Sequence, residues 1–337
     1  RRQRQMCIRD RVTDIKYNAD SNGGNISFKV DRSSIRQGNA VIAIKDVSDA
    51  ILWSWHVWVT DEDINNVIEI TNHQNVKYNF MPVNLGQCDG NTITYEERSC
   101  KVKFIAGDQS KEITIKQLAN VIATGSNAPF YQWGRKDPLY PSNGMGNTTK
   151  IWYDKEGIPS TANPMKGTFS AGNDCIKNCI LNPNLMHNRY NGDYTYYNLW
   201  SADNKTTSAN DNPVNKTIYD PCPVGFKLPA SNAFTGFTTT GESVSSSTQV
   251  NGTWSSSEKG WYFYTNSEKT QSIFFPALGY RSYSTMRPGS IGTQGCFWSA
   301  HPVAKGNNYY LRTSSVDVQP TYMVDRGFGY ALRPCQD

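Results

Sequence analysis

Hydrophobic and polar residues alternate with a period of two along much of this chain, which predicts β-strands rather than helices. The segment 25–30 alternates in this way, the segment 40–44 is apolar, and the segment 51–60 carries tryptophans on both of its faces. A polar turn joins the last two segments, so we predict a β-hairpin whose second strand is covered on both sides. His56 lies between apolar neighbours, which favours a hydrogen-bonded structural role, with a ligand role as the alternative.

The same reasoning predicts elements in the rest of the chain. Two alternating segments at 101–105 and 112–115 predict an inserted hairpin, and the segment 174–181 predicts one short helix. A helical turn is expected at 231–237, after a segment that prolines stiffen. The predicted strands of the C-terminal part are 260–264, 272–276, 297–300, 309–313, 316–318 and 329–333.

Three C-terminal segments have no such period, because aromatic, charged, apolar and small residues mix in them. They are 282–287, 301–308 and 322–325, and we predict that they are loops. Varied loops on a rigid scaffold commonly form binding surfaces. For 322–325 the alternative is an ordinary exposed hairpin loop.

Composition supports a β-rich, loop-rich protein. The 337 residues include 19 Tyr, 9 Trp and 26 Gly, and 19% are charged. This length suffices for one large domain or two ordinary ones. We expect an α+β chain, with a small β-sandwich piece at 12–72 and a second domain at 73–337. The sandwich piece is either the remnant of a longer sandwich domain or packs onto the second domain.

The net charge of +5 is concentrated at the start of the chain. Residues 1–11 hold five Arg and one Asp, so they contribute +4 and the remainder only +1. This tail resembles translated sequencing-adaptor strings at the ends of fragmentary metagenomic reading frames. We therefore expect it to be non-native, so that the natural start and any export signal are missing. It lacks the apolar region of a signal peptide, and the alternative is a native basic arm for nucleic acid or anionic lipid.

The cysteines allow several arrangements. Cys175 and Cys179 would share one face of a helix, where two packed thiols are favoured over half of a metal site. Cys222 and Cys335 bracket the last domain and could close it with a disulfide, with free buried thiols as the alternative. The eight cysteines are at positions 7, 88, 100, 175, 179, 222, 296 and 335.

The sequence contains few motifs that are typical of enzymes. The chain has no GxGxxG, GxxxxGK[ST], HExxH or GxSxG motif and only four His, so we predict no catalytic residues and no cofactor or metal. A glycosidase with paired carboxylates stays open, because the pair could come from distant segments. The near-neutral charge beyond the tail does not favour nucleic-acid binding. No apolar run is long enough to span a membrane.

Several short motifs occur in order along the chain. They are Asn84-Leu85-Gly86, Tyr131-Gln132-Trp133-Gly134-Arg135, Asp220-Pro221-Cys222-Pro223-Val224-Gly225, Phe297-Trp298-Ser299 and Gly329-Tyr330-Ala331-Leu332-Arg333-Pro334. Together they resemble the major paralogous (FISUMP-type) domain of bacterial surface lipoproteins and fimbrillin-associated proteins, over about residues 77–337. The C-terminal segment 279–334 is still more similar to the variable region of diversity-generating retroelement target proteins.

This resemblance implies a C-type lectin fold whose variable residues form a solvent-facing ligand site. The calcium motifs typical of lectins are missing, so calcium-dependent sugar binding is not implied, and the catalytic cysteine pattern of the similarly folded formylglycine-generating enzymes is not recognisable. The implied framework positions are Gly279, Gly295, Trp298, Ser299, Arg326, Gly329 and Arg333. The implied ligand-binding positions are Ser282, Tyr283, Met286, Arg287, His301, Tyr310, Arg312, Asp317, Gln319, Tyr322, Met323, Val324, Asp325 and Phe328.

The residue types alone also suit a binding surface. Tyr, Arg, His and Asp supply rigid amphipathic area and adaptable polar contacts. We expect Trp298 to be a core anchor and Arg333 to be a buried, hydrogen-bonded group.

The resemblance implies a non-catalytic, retroelement-diversified receptor at a bacterial cell surface. Its ligand would be a protein or glycan on another cell, a phage or a host. The alternatives are a fixed fimbrial-tip adhesin or structural subunit with fimbrial assembly partners, and an enzyme with a cleft of perturbed carboxylates or thiols.

Overall fold

The computed structural model describes residues 12–21, 23–33, 35, 37–88, 92–123, 128–139, 152–153, 159–160, 172–187, 196–303 and 306–337. Residues 1–11, for which we predict a non-native tail, lie outside these ranges. Strands predominate over helix, so the chain is β-rich, as the alternation predicts.

The described strands form small antiparallel sheets. One α-helix, α1 (Gly172–Leu181), and two 3-10 helices at Ser231–Phe237 and Ser247–Gln249 accompany them among the described residues. The strands are β1 (Val12–Asn18), β2 (Asn25–Val30), β3 (Gly38–Lys45), β4 (Ile51–Val59), β5 (Ile68–Thr71), β6 (Lys77–Phe80), β7 (Thr92–Tyr95), β8 (Arg98–Ala106), β9 (Gln109–Gln117), β10 (Asn120–Ala123), β11 (Tyr131–Gln132), β12 (Trp152–Tyr153), β13 (Pro159–Ser160), β14 (Phe226–Lys227), β15 (Gly252–Ser255), β16 (Gly260–Tyr264), β17 (Ser272–Pro276), β18 (Tyr280–Arg281), β19 (Pro288–Gly289), β20 (Gly295–Pro302), β21 (Asn307–Thr313), β22 (Val318–Asp325), β23 (Gly329–Tyr330) and β24 (Cys335–Gln336).

Two hairpins at the N-terminal end pack on a small apolar cluster. Strands β1 and β2 pair with each other, as do β3 and β4, and the two pairs enclose Val12, Ala40 and Ile42. The predicted β3–β4 hairpin is therefore confirmed. Coverage of β4 on both sides is only partial, because Leu52 and Trp55 are 54% and 39% exposed.

Hydrogen bonds attach the β3–β4 hairpin to the rest of the protein. The Ser54 hydroxyl donates to the Asp137 carboxylate over 2.8 Å, and the Lys136 ammonium donates to Asp137 over 2.8 Å and to the Ser54 carbonyl over 2.9 Å. His56 contacts the Tyr131 hydroxyl through Nδ1 at 3.0 Å. The structural role predicted for His56 is confirmed, and the β3–β4 hairpin packs onto the segment around residues 131–137.

The expected boundary near residue 72 falls inside a hairpin. Strand β5 pairs with β6, and the order β14-β24-β6-β5 places both in one sheet with the C-terminal strand β24. The turn between β5 and β6 is closed by the Asn72 amide donating to the Val76 carbonyl. The C-terminal unit therefore begins before Ile68, and its two ends meet where Cys335 pairs with Phe80.

Two aromatic cores fill the C-terminal unit, one on each side of the sheet β20-β21-β22. Successive residues of a strand point to opposite faces. Phe297 accordingly joins the first core, where its ring lies 5.0 Å from that of Phe275, whereas Trp298 joins the second. All eight residues of β20 are buried, so this strand is the centre of the unit.

Most predicted elements are present. The hairpin β8–β9, helix α1, the helical turn at Ser231–Phe237 and strands β16 and β17 are confirmed. The strand predicted at 316–318 is wrong, because β22 begins at Val318. The loop predicted at 322–325 is also wrong, since these residues lie in β22, and the ends of 301–308 belong to β20 and β21.

No disulfide joins Cys222 to Cys335. Neither thiol is in a disulfide and both are buried, as are the thiols of Cys88, Cys175, Cys179 and Cys296, whereas Cys100 is exposed. The Cys222 thiol instead forms a hydrogen bond with the Asp220 carboxylate. Burial raises the pKa of the Cys335 thiol to about 12, so both groups act as packed apolar residues.

Candidate ligand-binding surface

The candidate surface is built on one face of the sheet β20-β21-β22. In this sheet Trp298 pairs with Tyr310, and Tyr310 pairs with Tyr322. Cross-strand partners share a face, so three large rings lie side by side. Trp298 has no exposed surface, Tyr310 is buried and Tyr322 is 45% exposed. The stack therefore leads from the core to solvent.

Neighbouring rings extend this stack into a continuous row. Tyr310 lies 5.7 Å from Tyr322 on one side and 4.6 Å from Tyr330 on the other, measured between ring centroids. Tyr330 lies 5.8 Å from Phe328, which meets the Tyr283 ring edge-on at 4.9 Å. We call these five residues the ring row. Its two ends, Tyr322 and the pair Tyr283 and Phe328, reach the surface.

The inner part of the ring row is held in place by hydrogen bonds. Trp298 lies 4.4 Å from Tyr330, and its indole nitrogen donates to the Tyr131 carbonyl over 2.8 Å. The hydroxyls of Tyr310 and Tyr330 are hydrogen-bonded to each other, and burial raises the pKa of both, so they stay neutral. Rigid aromatic groups lose little conformational entropy when they bind a ligand.

Polar groups stand beside the Tyr322 end. The Arg312 guanidinium forms a 2.7 Å ion pair with Asp317 and lies 5.8 Å from the centroid of the Tyr322 ring. The Gln319 amide nitrogen lies 3.4 Å from Asp317, and its Oε1 has no hydrogen-bond partner among the described residues. Donors and acceptors are therefore held next to exposed aromatic area.

The turn at 282–287 forms the other end. The Ser282 amide donates to the Arg287 carbonyl over 2.9 Å, and the Arg281 guanidinium donates to the Met286 carbonyl over 2.7 Å. This turn places Tyr283 against Phe328 and leaves Arg287 exposed. Ser282 is half-buried beside them. The buried Arg281 holds this turn in place. The loop predicted at 282–287 is therefore confirmed.

Strand β22 divides the segment that we expected to act as one loop. Tyr322 and Val324 point to the ring row, and Val324 packs on the second core. Met323 is 51% exposed but points to the opposite face, as does Asp325. The Asp325 carboxylate also accepts the Gly327 amide over 2.7 Å and closes the next turn. Met323 and Asp325 are therefore not on the same surface as Tyr322.

Three predicted ligand-binding residues are buried, which contradicts a solvent-facing role for them. Met286 packs in the first core with no exposed surface, and Tyr310 lies beneath Tyr322. His301 also has no exposed surface, and its Nδ1 contacts the Ser231 hydroxyl at 3.2 Å. Burial lowers the pKa of His301 to about 4, so it is a neutral structural group.

The framework positions are all buried. Arg333 donates to Asn84 and to the backbone carbonyls of Pro82 and Phe274, each over 2.7 Å, which confirms its structural role. Gly279 has a φ of 75°, a region that favours glycine, and a Cβ there would overlap the Gly289 carbonyl.

One residue of the surface was missed by sequence reasoning. The half-buried Tyr280 ring lies 5.5 Å from Phe328 and 6.5 Å from Tyr330, so it supports the Phe328 end of the ring row. Tyr280 lies three residues before Tyr283 in the sequence, and no helical or strand periodicity there predicted that it would join this surface. Only the short strand β18 places it there.

No protein-family model, curated protein or solved structure matches this chain. Within the described ranges, no group of three or more His, Cys, Asp or Glu is placed to hold a metal ion. No helix of the described residues is long and apolar enough to cross a membrane. The Cys296 thiol, which lies near Tyr310 and Tyr330, is buried, and burial raises its pKa to about 12.

Proposed function

We propose that this chain is a non-catalytic ligand-binding protein of a bacterial cell surface. Its C-terminal unit would have a C-type-lectin-like fold, related to the FISUMP-type domains, and its variable region would be diversified by a retroelement. The ligand would be a protein or glycan on another cell, a phage or a host. The ring row and the polar groups beside it would form the binding site.

The observation that carries this proposal is the increase in exposure from Trp298 through Tyr310 to Tyr322. Trp298 has no exposed surface and packs on Tyr310, and the Tyr322 ring beyond them reaches solvent next to Arg312 and Asp317. Binding energy at interfaces concentrates on such aromatic and arginine residues. Burial of every framework position beneath them would let surface residues vary without loss of the fold.

The binding site can be tested with neighbouring residues of similar exposure. Tyr322 and Met323 are 45% and 51% exposed, but they point to opposite faces of β22. After a ligand is found on glycan and bacterial surface-protein arrays, Tyr322→Ala should weaken binding by roughly thirtyfold, the effect of an aromatic hot spot. Met323→Ala is the matched control and should leave affinity unchanged. Equal losses, or a loss only for Met323→Ala, would place the site elsewhere.

Diversification has a separate test in the gene. Sequencing its 3′ end and flanking DNA across many isolates should reveal an Asn-rich template repeat beside a reverse transcriptase gene. Substitutions should fall at surface positions such as Arg287 and Tyr322 and spare Trp298 and Arg333. Uniform sequences without a template would refute diversification and favour the fixed fimbrial adhesin.

A further inference from the structure

A long, exposed hairpin is inserted in the C-terminal unit, between β6 and β11. Strands β8 and β9 each have nine residues, and they pair in register from Arg98–Gln117 to Ala106–Gln109. Every residue of both strands is exposed except the half-buried Val102. At its base the backbone continues into the β7–β10 pair, where Tyr95 pairs with Asn120. The hairpin is thus anchored at one end and exposed along its whole length.

The two faces of this hairpin differ in character. Cross-strand pairs show that Cys100, Val102 and Phe104 share a face with Ile113 and Ile115. Phe104, Ile113 and Ile115 are 57%, 41% and 53% exposed. Cys100 pairs with Ile115 and Val102 pairs with Ile113, so the centre of this face is apolar, and the cations Arg98 and Lys111 border it at its two ends.

The opposite face is basic. It carries Lys101, Lys103 and Lys116 with a single acid, Glu112, which forms an ion pair with Lys101 over 2.9 Å, and one exposed apolar residue, Ile105, near the turn. Over residues 98–117 the five basic and two acidic residues give a net charge of +3. Two glutamates precede the hairpin at its base, so the positive charge is concentrated along the strands. The hairpin is therefore amphipathic and cationic.

An isolated two-stranded hairpin is at best marginally stable in water, so an uncovered apolar face gains stability from a partner. A second copy of this chain is a poor partner. Two nine-residue strands present a face of roughly 300 Å², so two copies would bury roughly 600 Å², less than the roughly 1,000 Å² of a specific interface. Lysines on both strands also oppose edge-to-edge pairing, since like charges would meet.

We propose that this hairpin docks on an anionic lipid surface. The apolar face would enter the boundary between head groups and acyl chains, with Phe104 and Ile115 as the main buried groups. The lysines on the other face would remain at head-group level, within a Debye length of the anionic phosphates. Binding would depend on both the charge and the apolar area of the hairpin. A neutral bilayer would match only the apolar area, and a soluble acidic partner would match only the charge.

Environment-sensitive labelling can test this orientation, because Cys100 is the one exposed cysteine of the described residues and lies on the apolar face. After Cys7→Ser, the protein is labelled at Cys100 with an NBD fluorophore and mixed with phosphatidylcholine vesicles with or without phosphatidylglycerol. The NBD emission should shift to the blue only with phosphatidylglycerol. A matched label placed by S110C with Cys100→Ser reports the opposite face and should shift less. Equal shifts at both positions, or none at either, would overturn the proposal.

Vesicle co-sedimentation with substituted proteins separates the two contributions. Each of Lys103→Gln and Lys116→Gln should weaken binding about fivefold, and Phe104→Ser about tenfold or more. The exposed residues Lys259 and Ile218 lie outside the hairpin, and Lys259→Gln and Ile218→Ser should have no effect. Equal binding to neutral vesicles would refute the role of charge. Self-association without vesicles that Phe104→Ser abolishes would instead assign this face to a second copy.

Discussion

Trp298 offers a test of how the candidate surface is supported. It has no exposed surface, its ring lies 4.4 Å from Tyr330 and 5.8 Å from Tyr310, and its indole N–H donates to the Tyr131 carbonyl over 2.8 Å. Trp298→Ala removes a buried ring from the centre of β20. We expect the free energy of unfolding to fall by about 3–5 kcal/mol from the lost burial and the cavity that remains.

The magnitude comes from two contributions that overlap. A buried carbonyl without its hydrogen-bond donor costs about 1–3 kcal/mol, and the missing ring accounts for the rest. Trp298→Phe separates them, because it keeps a ring but removes the N–H group. We expect Trp298→Phe to lower the unfolding free energy by about 1–3 kcal/mol. Tyr322→Ala, at the exposed end of the same stack, should lower it by less than about 1 kcal/mol.

Urea unfolding followed by circular dichroism measures these differences, and the midpoints should be compared at equal slope. Folded proteins are stable by only about 5–15 kcal/mol, so Trp298→Ala should move the midpoint far to lower urea. A loss below about 1 kcal/mol for Trp298→Ala would refute the reasoning, since a fully buried, hydrogen-bonded Trp cannot be removed so cheaply. A larger loss for Tyr322→Ala than for Trp298→Ala would reverse the proposed order of scaffold and surface.

Three further outcomes are expected. Gly279→Ala should lower the melting temperature by several degrees, because a Cβ there overlaps a backbone carbonyl at a φ of 75°; an unchanged value in a thermal scan would contradict the close approach. Lys136→Met should destabilise by about 3–5 kcal/mol in urea unfolding, because Asp137 would stay buried without its cation; a loss near zero would mean that water reaches the pair. His301 has a pKa of about 4 in the folded protein against 6.5 for the free group, so below pH 6.5 the unfolded chain binds a proton that the folded chain does not. His301 should therefore lower stability by up to about 1.4 kcal/mol for each pH unit as the pH falls from 6.5 to 4. His56, whose pKa burial also lowers to about 4, should contribute a similar amount, so His301→Gln should remove only its own share of the slope in pH-dependent unfolding.

The sequence by itself determined many of the strands. Gly260–Tyr264 and Ser272–Pro276 have the predicted bounds, because short apolar segments bounded by a polar turn are a local signal. The hairpin β8–β9 and helix α1 arise from equally local patterns. Burial of the framework residues Trp298 and Arg333 was also predicted, since a tryptophan after two glycines favours close packing.

Only the tertiary structure decided which faces are covered. His301 and Tyr310 resemble surface binding residues in the sequence, but Ser231 and Tyr330, distant in the chain, enclose them. Segment 322–325 has no alternation of its own and becomes a strand through pairing with β21. Covering segments come from remote parts of the chain, so local pattern cannot reveal them. Strand pairing determines the face of the sheet on which each side chain lies. It places Tyr322 and Met323 on opposite faces and brings the residues of the ring row together.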